Sequence, residues 1–206
     1  MIHWNEHDGM AIAVLNRPER HNALDIDTVL AFMAHLQEAA DPCLPVVVTG
    51  AGRTFCSGFD LTTREEGAAF KESADRLFDA LLSYPAPVMA ALNGPAIGMG
   101  CVLAAMCDIR IGGERSWLEI PAARLGVVLD ETYVARISNR LGMAAAQILF
   151  VASRRIEASR AAEIGALHAL VEDPLSEAKA WAAHAASLNL ASLAAHKSFV
   201  NNSPRA

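Results

Sequence analysis

The chain has 206 residues, 53% of them hydrophobic, with a net charge of −6. That length suits one domain with a substantial core, and the longest apolar runs fall well short of the roughly 18 residues a membrane span needs. An acidic chain without a Lys/Arg cluster lacks the basic face that nucleic-acid phosphates require.

Met1 to Glu6 carries no basic start, apolar block or small-residue cleavage site, so the expected location is the cytoplasm. Ile2–Glu6 and Met10–Leu15 read as two strands joined at Asp8-Gly9, a hairpin signal. A polar loop from Asn16 to Leu24 follows, and Asp25 is placed to cap a helix whose apolar residues Ile26, Val29, Leu30, Met33 and Leu36 recur at helical spacing. That helix is expected to stop near Asp41-Pro42. Leu44 to Thr49 is a β-branched run typical of a buried parallel strand, followed by a glycine-containing loop through Leu61.

From about Arg64 to Leu82 the pattern is again helical, with Phe70, Leu77, Phe78, Leu81 and Leu82 on one side. Pro87 to Leu92 reads as a buried strand that turns through Asn93-Gly94-Pro95-Ala96-Ile97-Gly98-Met99-Gly100-Cys101 into a packed helix beginning at Val102. Cys107 to Gly112 reads as another strand. Glu131–Arg140, Ala144–Phe150, Ser159–Ile164 and Ala178–Leu188 read as short helices, with a strand-like Ala169-Leu170-Val171 between the last two. Strands alternating with helices imply parallel crossovers, with a ligand site beyond the carboxyl ends of the strands. The hairpin adds an antiparallel edge to this α/β pattern.

The turn from Asn93 to Cys101 has two readings. The first amides of a helix lack intrahelical acceptors, and small residues such as Gly98 and Gly100 let a ligand approach them, which suits an anion or oxyanion pocket. A tight packing turn is the other. Cys43, Cys56, Cys101 and Cys107 show no CxxC pair and no grouping with histidine, so they are expected as reduced, mostly buried thiols with no metal site. Ser57 lies outside a G-x-S-x-G elbow, and Gly98-Met99-Gly100 is followed by Leu103 where a dinucleotide fingerprint needs glycine. Serine hydrolysis and nicotinamide chemistry are disfavoured.

Taken together, Asn16 to Leu24, Thr49 to Leu61, Pro87 to Asp108, Leu125-Gly126, Arg140-Leu141-Gly142, Ile156-Glu157-Ala158 and Ala162 to Leu167 fall in the order of a known family. The chain resembles the enoyl-CoA hydratase/isomerase, or crotonase, superfamily over nearly its whole length. The resemblance implies an α/β spiral of ββα units with a core at 1–190 and a shortened C-terminal helical segment at 191–206. It also implies an acyl-CoA substrate, no cofactor beyond the coenzyme A of that substrate, and assembly as a homotrimer or hexamer. Family members follow the helix matched by Ala195 to Val200 with several more helices, so a chain ending at Ala206 implies a more open site or altered assembly.

By motif match, the backbone N–H groups of Phe59 and Met99 are the donors that hold the thioester oxygen. Developing negative charge on that oxygen is what preorganised donors stabilise. The two glutamates used by hydratases of the family are absent: Val102 and Ala122 stand at those positions, and neither side chain transfers protons. Asp130 matches the position that supplies the acid/base carboxylate in peroxisomal-type enoyl-CoA isomerases, with Glu131 as the local substitute. Proximity to Val102, Ala122 and Leu129 is expected to raise its pKa. Capping of the following helix is the alternative role for Asp130. Asp75 falls on a helix that lines the acyl pocket in the family, or else on a solvated face. Arg17 and Arg20 are candidates for coenzyme A phosphate contacts or plain surface residues, and Asp60, Leu61 and Thr62 match the segment whose backbone embraces pantetheine and adenine. The expected activity is double-bond isomerisation through an enolate; an acyl-CoA-binding protein with little turnover, a thioester or carbon–carbon hydrolase and an atypical hydratase on the same scaffold are the alternatives.

Overall fold

A computed structural model describes residues 1–62 and 67–202. The chain opens with β1 (Ile2–His7) and β2 (Met10–Leu15), which pair antiparallel with His7 opposite Met10. The two turn residues Asp8 and Gly9 both have positive φ, 51° and 74°, the geometry that matches a two-residue turn to the twist of its strands. Asp25 then caps α1 (Ile26–Ala39), its carboxylate accepting the Thr28 N–H at 2.8 Å. β3 (Val46–Gly50), α2 (Gly67–Ser83) and β4 (Val88–Leu92) follow. The expected start of α2 at Arg64 lies outside the described residues.

After β4 come β5 (Ala96–Ile97), α3 (Met99–Met106), β6 (Ile109–Gly112) and β7 (Trp117–Glu119). The remainder is α4 (Glu131–Leu141), α5 (Met143–Ala146), β8 (Ile156–Glu157), α6 (Ala158–Glu163), β9 (Ala169–Leu170), α7 (Pro174–Ala186) and α8 (Leu190–Asn202). A six-stranded sheet runs in the order β1-β2-β3-β4-β6-β9, parallel from β2 onward. Its central strands are buried on both faces, as an all-parallel region with helices on either side must be.

The two-residue period of the strands divides the core. Val46, Val48, Val88, Ala90 and Leu92 join the main core with Phe32, Phe55, Phe78 and Leu103. Met10, Val47, Met89, Ala91 and Ile111 face the opposite way, against Ala178, Ala182 and Ala185 of α7. Small side chains along α7 let it lie close to the sheet.

The structure differs from the sequence reading at α3, which starts at Met99 and not at Val102, and in two further places. A second sheet, β5-β7-β8, was not expected; two- and three-residue strands are too short to show a period. The helix expected over Ala144–Phe150 is instead α5 followed by a π-helical turn at Gln147–Val151. The C-terminal helix begins at Leu190 and is held by polar contacts more than by burial. Lys197 Nζ donates to the Leu81 and Ala86 carbonyls at 3.1 and 3.0 Å and pairs with Asp108 at 2.7 Å, while Asn201 Nδ2 donates to Leu82 O at 2.9 Å. No helix among the described residues is long and apolar enough to cross a membrane.

Candidate active site

The loops leaving the carboxyl ends of β2, β3 and β4 are stitched together by side-chain amides, the buried Asn22 and the half-buried Asn93. Asn22 donates to the carbonyls of Ala51 and Thr54 at 2.9 and 2.7 Å and accepts the Arg17 N–H at 3.0 Å. Asn93 accepts the Gly50 N–H at 3.2 Å and donates to Gly52 O at 3.0 Å. Two isolated parallel bridges, Leu24 with Phe59 and Cys56 with Ala96, then lay the Cys56–Phe59 segment between the first polar loop and the central turn.

This stitching determines which amides remain available. In the first bridge Leu24 N–H donates to Gly58 O at 2.7 Å and Asp60 N–H to Leu24 O at 2.9 Å, which turns the Phe59 N–H to the other side. On the second segment Gly98 N–H is held by Glu119 O at 2.8 Å, and the first helical bond of α3 is Val102 N–H to Gly98 O at 3.1 Å. Met99, first residue of α3, therefore has no intrahelical acceptor. Among the described residues, neither the Phe59 nor the Met99 amide finds a backbone acceptor. They belong to touching segments: a Cβ on Gly58 would stand 2.8 Å from Ile97 O and 3.1 Å from Met99 N. Gly98 takes φ 55° and ψ −122°, a backbone state that essentially only glycine adopts, and open space lies where its Cβ would be.

Gly100 has a different role from the one expected. Its missing Cβ would lie 2.2 Å from the Cys56 carbonyl, so it lets α3 pack on the neighbouring loop and is not a point of ligand approach. Val102, at the position of the first hydratase glutamate, is fully buried in the main core, and Ala122 is half-buried against the same core. The Phe59 ring stacks on Phe70 of α2 with centroids 4.2 Å apart.

Arg17 is occupied within the chain. Its guanidinium donates to Ala23 O and pairs with Asp25 at 2.9 Å and Asp60 at 2.8 Å, which makes it a clamp between loops. Asp60 is buried; the Thr62 hydroxyl at 2.7 Å, with the Thr62 N–H and Arg17, lowers its carboxyl pKa to about 2. Its side chain therefore organises the loop and does not reach outward. Arg20, Leu61 and Thr62 are exposed.

Asp130 caps α4, its Oδ1 accepting the Thr132 N–H at 2.9 Å. The expected rise in its pKa is overturned. The Thr132 N–H above all, with the Thr132 hydroxyl and Lys71 adding to it, holds the carboxyl below the ordinary aspartate value. Apolar neighbours raise a carboxylate pKa only by excluding water, and this side chain is 42% exposed. Glu131 is exposed beside it in the first turn of α4.

Sequence reasoning missed Lys71 and Tyr133. Lys71 Nζ lies 2.8 Å from Asp75 and 3.6 Å from Asp130, and 5.6 Å from the centre of the Tyr133 ring. The Tyr133 hydroxyl donates to the other oxygen of Asp75, so Asp75 belongs to a bridge between α2 and α4 and not to a merely solvated face. The spacing of Lys71 and Asp75, four apart on a helix, was a readable signal; the partnership with Tyr133, 58 residues away, was not.

A groove of about 760 Å³ lies elsewhere, lined by Pro87, Met89, Asp108 and Ile109 at the amino ends of β4 and β6 and by residues of α7 and α8. The Phe59 and Met99 amides sit at the opposite, carboxyl ends of the strands, where open α/β sheets place their ligands. Cys56, Cys101 and Cys107 are buried, and burial pushes each thiol up to about 12. They take no part as nucleophiles.

An α/β spiral in which the loop after β3 and the central turn bring two unengaged amides together defines a crotonase-type fold. The enoyl-CoA hydratase/isomerase family model matches residues 5–205, and the chain belongs to that family. It is 32% identical over 189 residues to the "Probable enoyl-CoA hydratase echA6" of Mycobacterium bovis, covering 91% of this chain and 77% of that one. It is 33% identical over 171 residues to the short-chain-enoyl-CoA hydratase of Clostridium acetobutylicum, covering 79% of this chain and 66% of that one. Among solved structures, an enoyl-CoA hydratase from Bacillus anthracis superposes with a TM-score of 0.90 at 27% identity, covering 98% of this chain and 82% of that one.

Proposed function

We propose that the chain acts on an acyl-CoA thioester and moves a carbon–carbon double bond through an enolate. The observation that carries this reading is the pair of unengaged amides at Phe59 and Met99 on adjoining segments. The thioester carbonyl oxygen sits between them and accepts both N–H groups. When the Cα proton of a 3-enoyl thioester leaves, its electron pair delocalises onto that oxygen, and two fixed donors stabilise the charge that develops. Each such donor is typically worth about 3 kcal/mol in the transition state.

Asp130 is the proton carrier. Its Oδ2 takes the Cα proton; the resulting dienolate is protonated at Cγ by the same carboxyl, and the double bond comes to rest between Cα and Cβ. One carboxylate is sufficient because the proton removed is the proton returned. Water addition by a pair of carboxylates has no support here, since Val102 is buried and Ala122 ends in a methyl group. The relatives carry hydratase names, which supports the thioester substrate class while leaving the reaction to be decided by these positions.

Turnover of a 3-enoyl-CoA to the 2-enoyl-CoA, followed by thioester-conjugation absorbance, tests the reading. Asp130→Asn is expected to lower kcat by about 10²–10⁴ with acyl-CoA affinity nearly unchanged. Unchanged turnover removes Asp130 from the mechanism. Acyl-CoA binding without turnover of any enoyl, dienoyl or β-keto thioester by the wild-type chain replaces the enzyme with a binding protein. Assembly into trimers belongs to the same proposal: Leu125, Val127 and Val128 leave an exposed apolar run beside Asp130, with Val128 95% exposed, for a second copy to cover. Sedimentation equilibrium at the monomer mass overturns that part alone.

A further inference from the structure

The bridge between α2 and α4 divides the two oxygens of Asp130 between different tasks. Oδ1 is engaged by the Thr132 N–H, which caps α4. Oδ2 faces the Lys71 ammonium at 3.6 Å, too long for a hydrogen bond and close enough for an ion pair. The cation therefore sits beside this oxygen and orients it. Lys71 is itself held from two sides. Asp75, one helical turn on, binds it at 2.8 Å, and the Tyr133 ring lies under it at 5.6 Å. Asp75 is in turn locked by the Tyr133 hydroxyl. Lys71 also adjoins Phe70, whose ring stacks on Phe59, so this assembly begins one residue from the wall of the oxyanion strand.

We propose that Lys71 is a positioning residue for the reaction, holding Oδ2 of Asp130 as the proton-carrying oxygen. The inference rests on the isomerase reading above and names a residue which that reading does not require. The charged and titratable groups of the two elements, among the described residues, are Lys71, Glu72, Asp75, Arg76 and Asp79 on α2 and Asp130, Glu131, Tyr133, Arg136 and Arg140 at the cap and along α4. Arg136 is paired with Asp79 at 2.6 Å, and burial raises the Tyr133 phenol well above its ordinary range, so it stays a neutral donor. Lys71 is thus the cation shared by two neighbouring carboxylates. Without it, Asp75 and Asp130 face each other uncompensated, which favours the protonated form of Asp130.

The test compares Lys71→Met and Lys71→Arg in the isomerase assay across pH. Loss of the cation raises the pKa of the base, so the acid limb of kcat/KM moves to higher pH, by roughly half a unit to one unit for a pair this exposed. kcat is expected to fall about tenfold with KM little changed, and Lys71→Arg is expected to restore both. A ¹³C NMR titration of the Asp130 carboxyl reads the same displacement without turnover. An acid limb and a carboxyl titration in Lys71→Met that coincide with wild type overturn the proposal. If Asp130→Asn is inactive and Lys71→Met is unshifted, the role of Lys71 fails alone; if Asp130→Asn is fully active, the parent reading fails and this one with it.

Discussion

Asp60 shows how a residue in a site-forming segment earns its place through its neighbours. The Phe59 amide can face a substrate only while the next residue stays fixed, and Asp60 is fixed by Arg17, the Thr62 hydroxyl and the Thr62 N–H. Arg17→Met is expected to destabilise the fold by about 2–3 kcal/mol, the usual cost of losing hydrogen bonds to a buried charge, measured by urea unfolding. The pair also has a pH signature. The folded pKa of Asp60, about 2, lies below the unfolded value of about 3.9, so its stabilisation is complete above the unfolded value and is lost as pH falls towards 2. Wild type should lose stability across that window, and Asp60→Asn should lose less. Equal slopes would show that the carboxylate is not the group responsible. Val102 raises the reverse case. Glutamate there would bury an unpaired carboxylate in the core, so Val102→Glu is expected to cost 3 kcal/mol or more at neutral pH, by roughly the penalty for an uncompensated buried charge. A single substitution at this position is not expected to restore hydration.

At the scale of elements, the site is a contact between the Cys56–Phe59 segment and the start of α3, and its closeness depends on missing side chains. Gly100→Ala places a methyl group 2.2 Å from the Cys56 carbonyl, and backbone on both sides must move. We expect a loss of about 1–3 kcal/mol from overpacking and, on the proposed mechanism, in which the Met99 amide serves the transition state most, a larger relative fall in kcat than in acyl-CoA affinity. A variant that is destabilised yet turns over normally would separate packing from catalysis. The elements themselves were largely legible. Asp8-Gly9 is the turn chemistry of a tight hairpin, Asp25 precedes an amphipathic run, and Val46 to Val48 is too uniformly β-branched for anything but a covered strand. Unread were β5, β7 and β8, which exist because their neighbours supply partners and not because their own sequences alternate. The same limit hid Tyr133. Its partner Asp75 is distant in sequence, and a hydrogen bond between two helices leaves no mark on the pattern of either. Motif order singled out Phe59, Met99 and Asp130 as candidates, whereas the electrostatics of Asp130 were misread because the exposure of a loop end depends on what packs around it.

At the scale of the whole molecule, α8 is attached differently from the other helices. The core helices are held by buried apolar faces, whereas α8 is exposed along most of its length, with Phe199 and Val200 67% and 73% exposed. Its attachment runs through Lys197 and Asn201. The Lys197 ammonium, nearly buried, uses its three donors on Leu81 O, Ala86 O and Asp108, and Asn201 joins Leu82 O to the Arg140 guanidinium at 2.9 and 2.8 Å. Three of these acceptors lie at the carboxyl end of α2 or just beyond it, where helical carbonyls lack intrahelical donors and favour a cation. Asp108 also accepts the Val88 N–H at 2.8 Å, so the same ammonium reaches the entrance of β4. Lys197→Met keeps the apolar stem and removes the bonds of the ammonium to Leu81 O, Ala86 O and Asp108. Hydrogen exchange in 190–202 should then accelerate tenfold or more, equivalent to about 1.4 kcal/mol of local opening, with the amides of β3 and β4 unchanged. Uniform acceleration through the core would mean that α8 unfolds only with the whole domain; unchanged exchange in 190–202 would mean that its narrow apolar stripe, Leu190, Leu193 and Ala194, holds it without the lysine. Because the Phe59 and Met99 amides lie at the opposite ends of the strands, isomerase turnover should survive loosening of α8, whereas Gly100→Ala should affect turnover and leave exchange in 190–202 as in wild type.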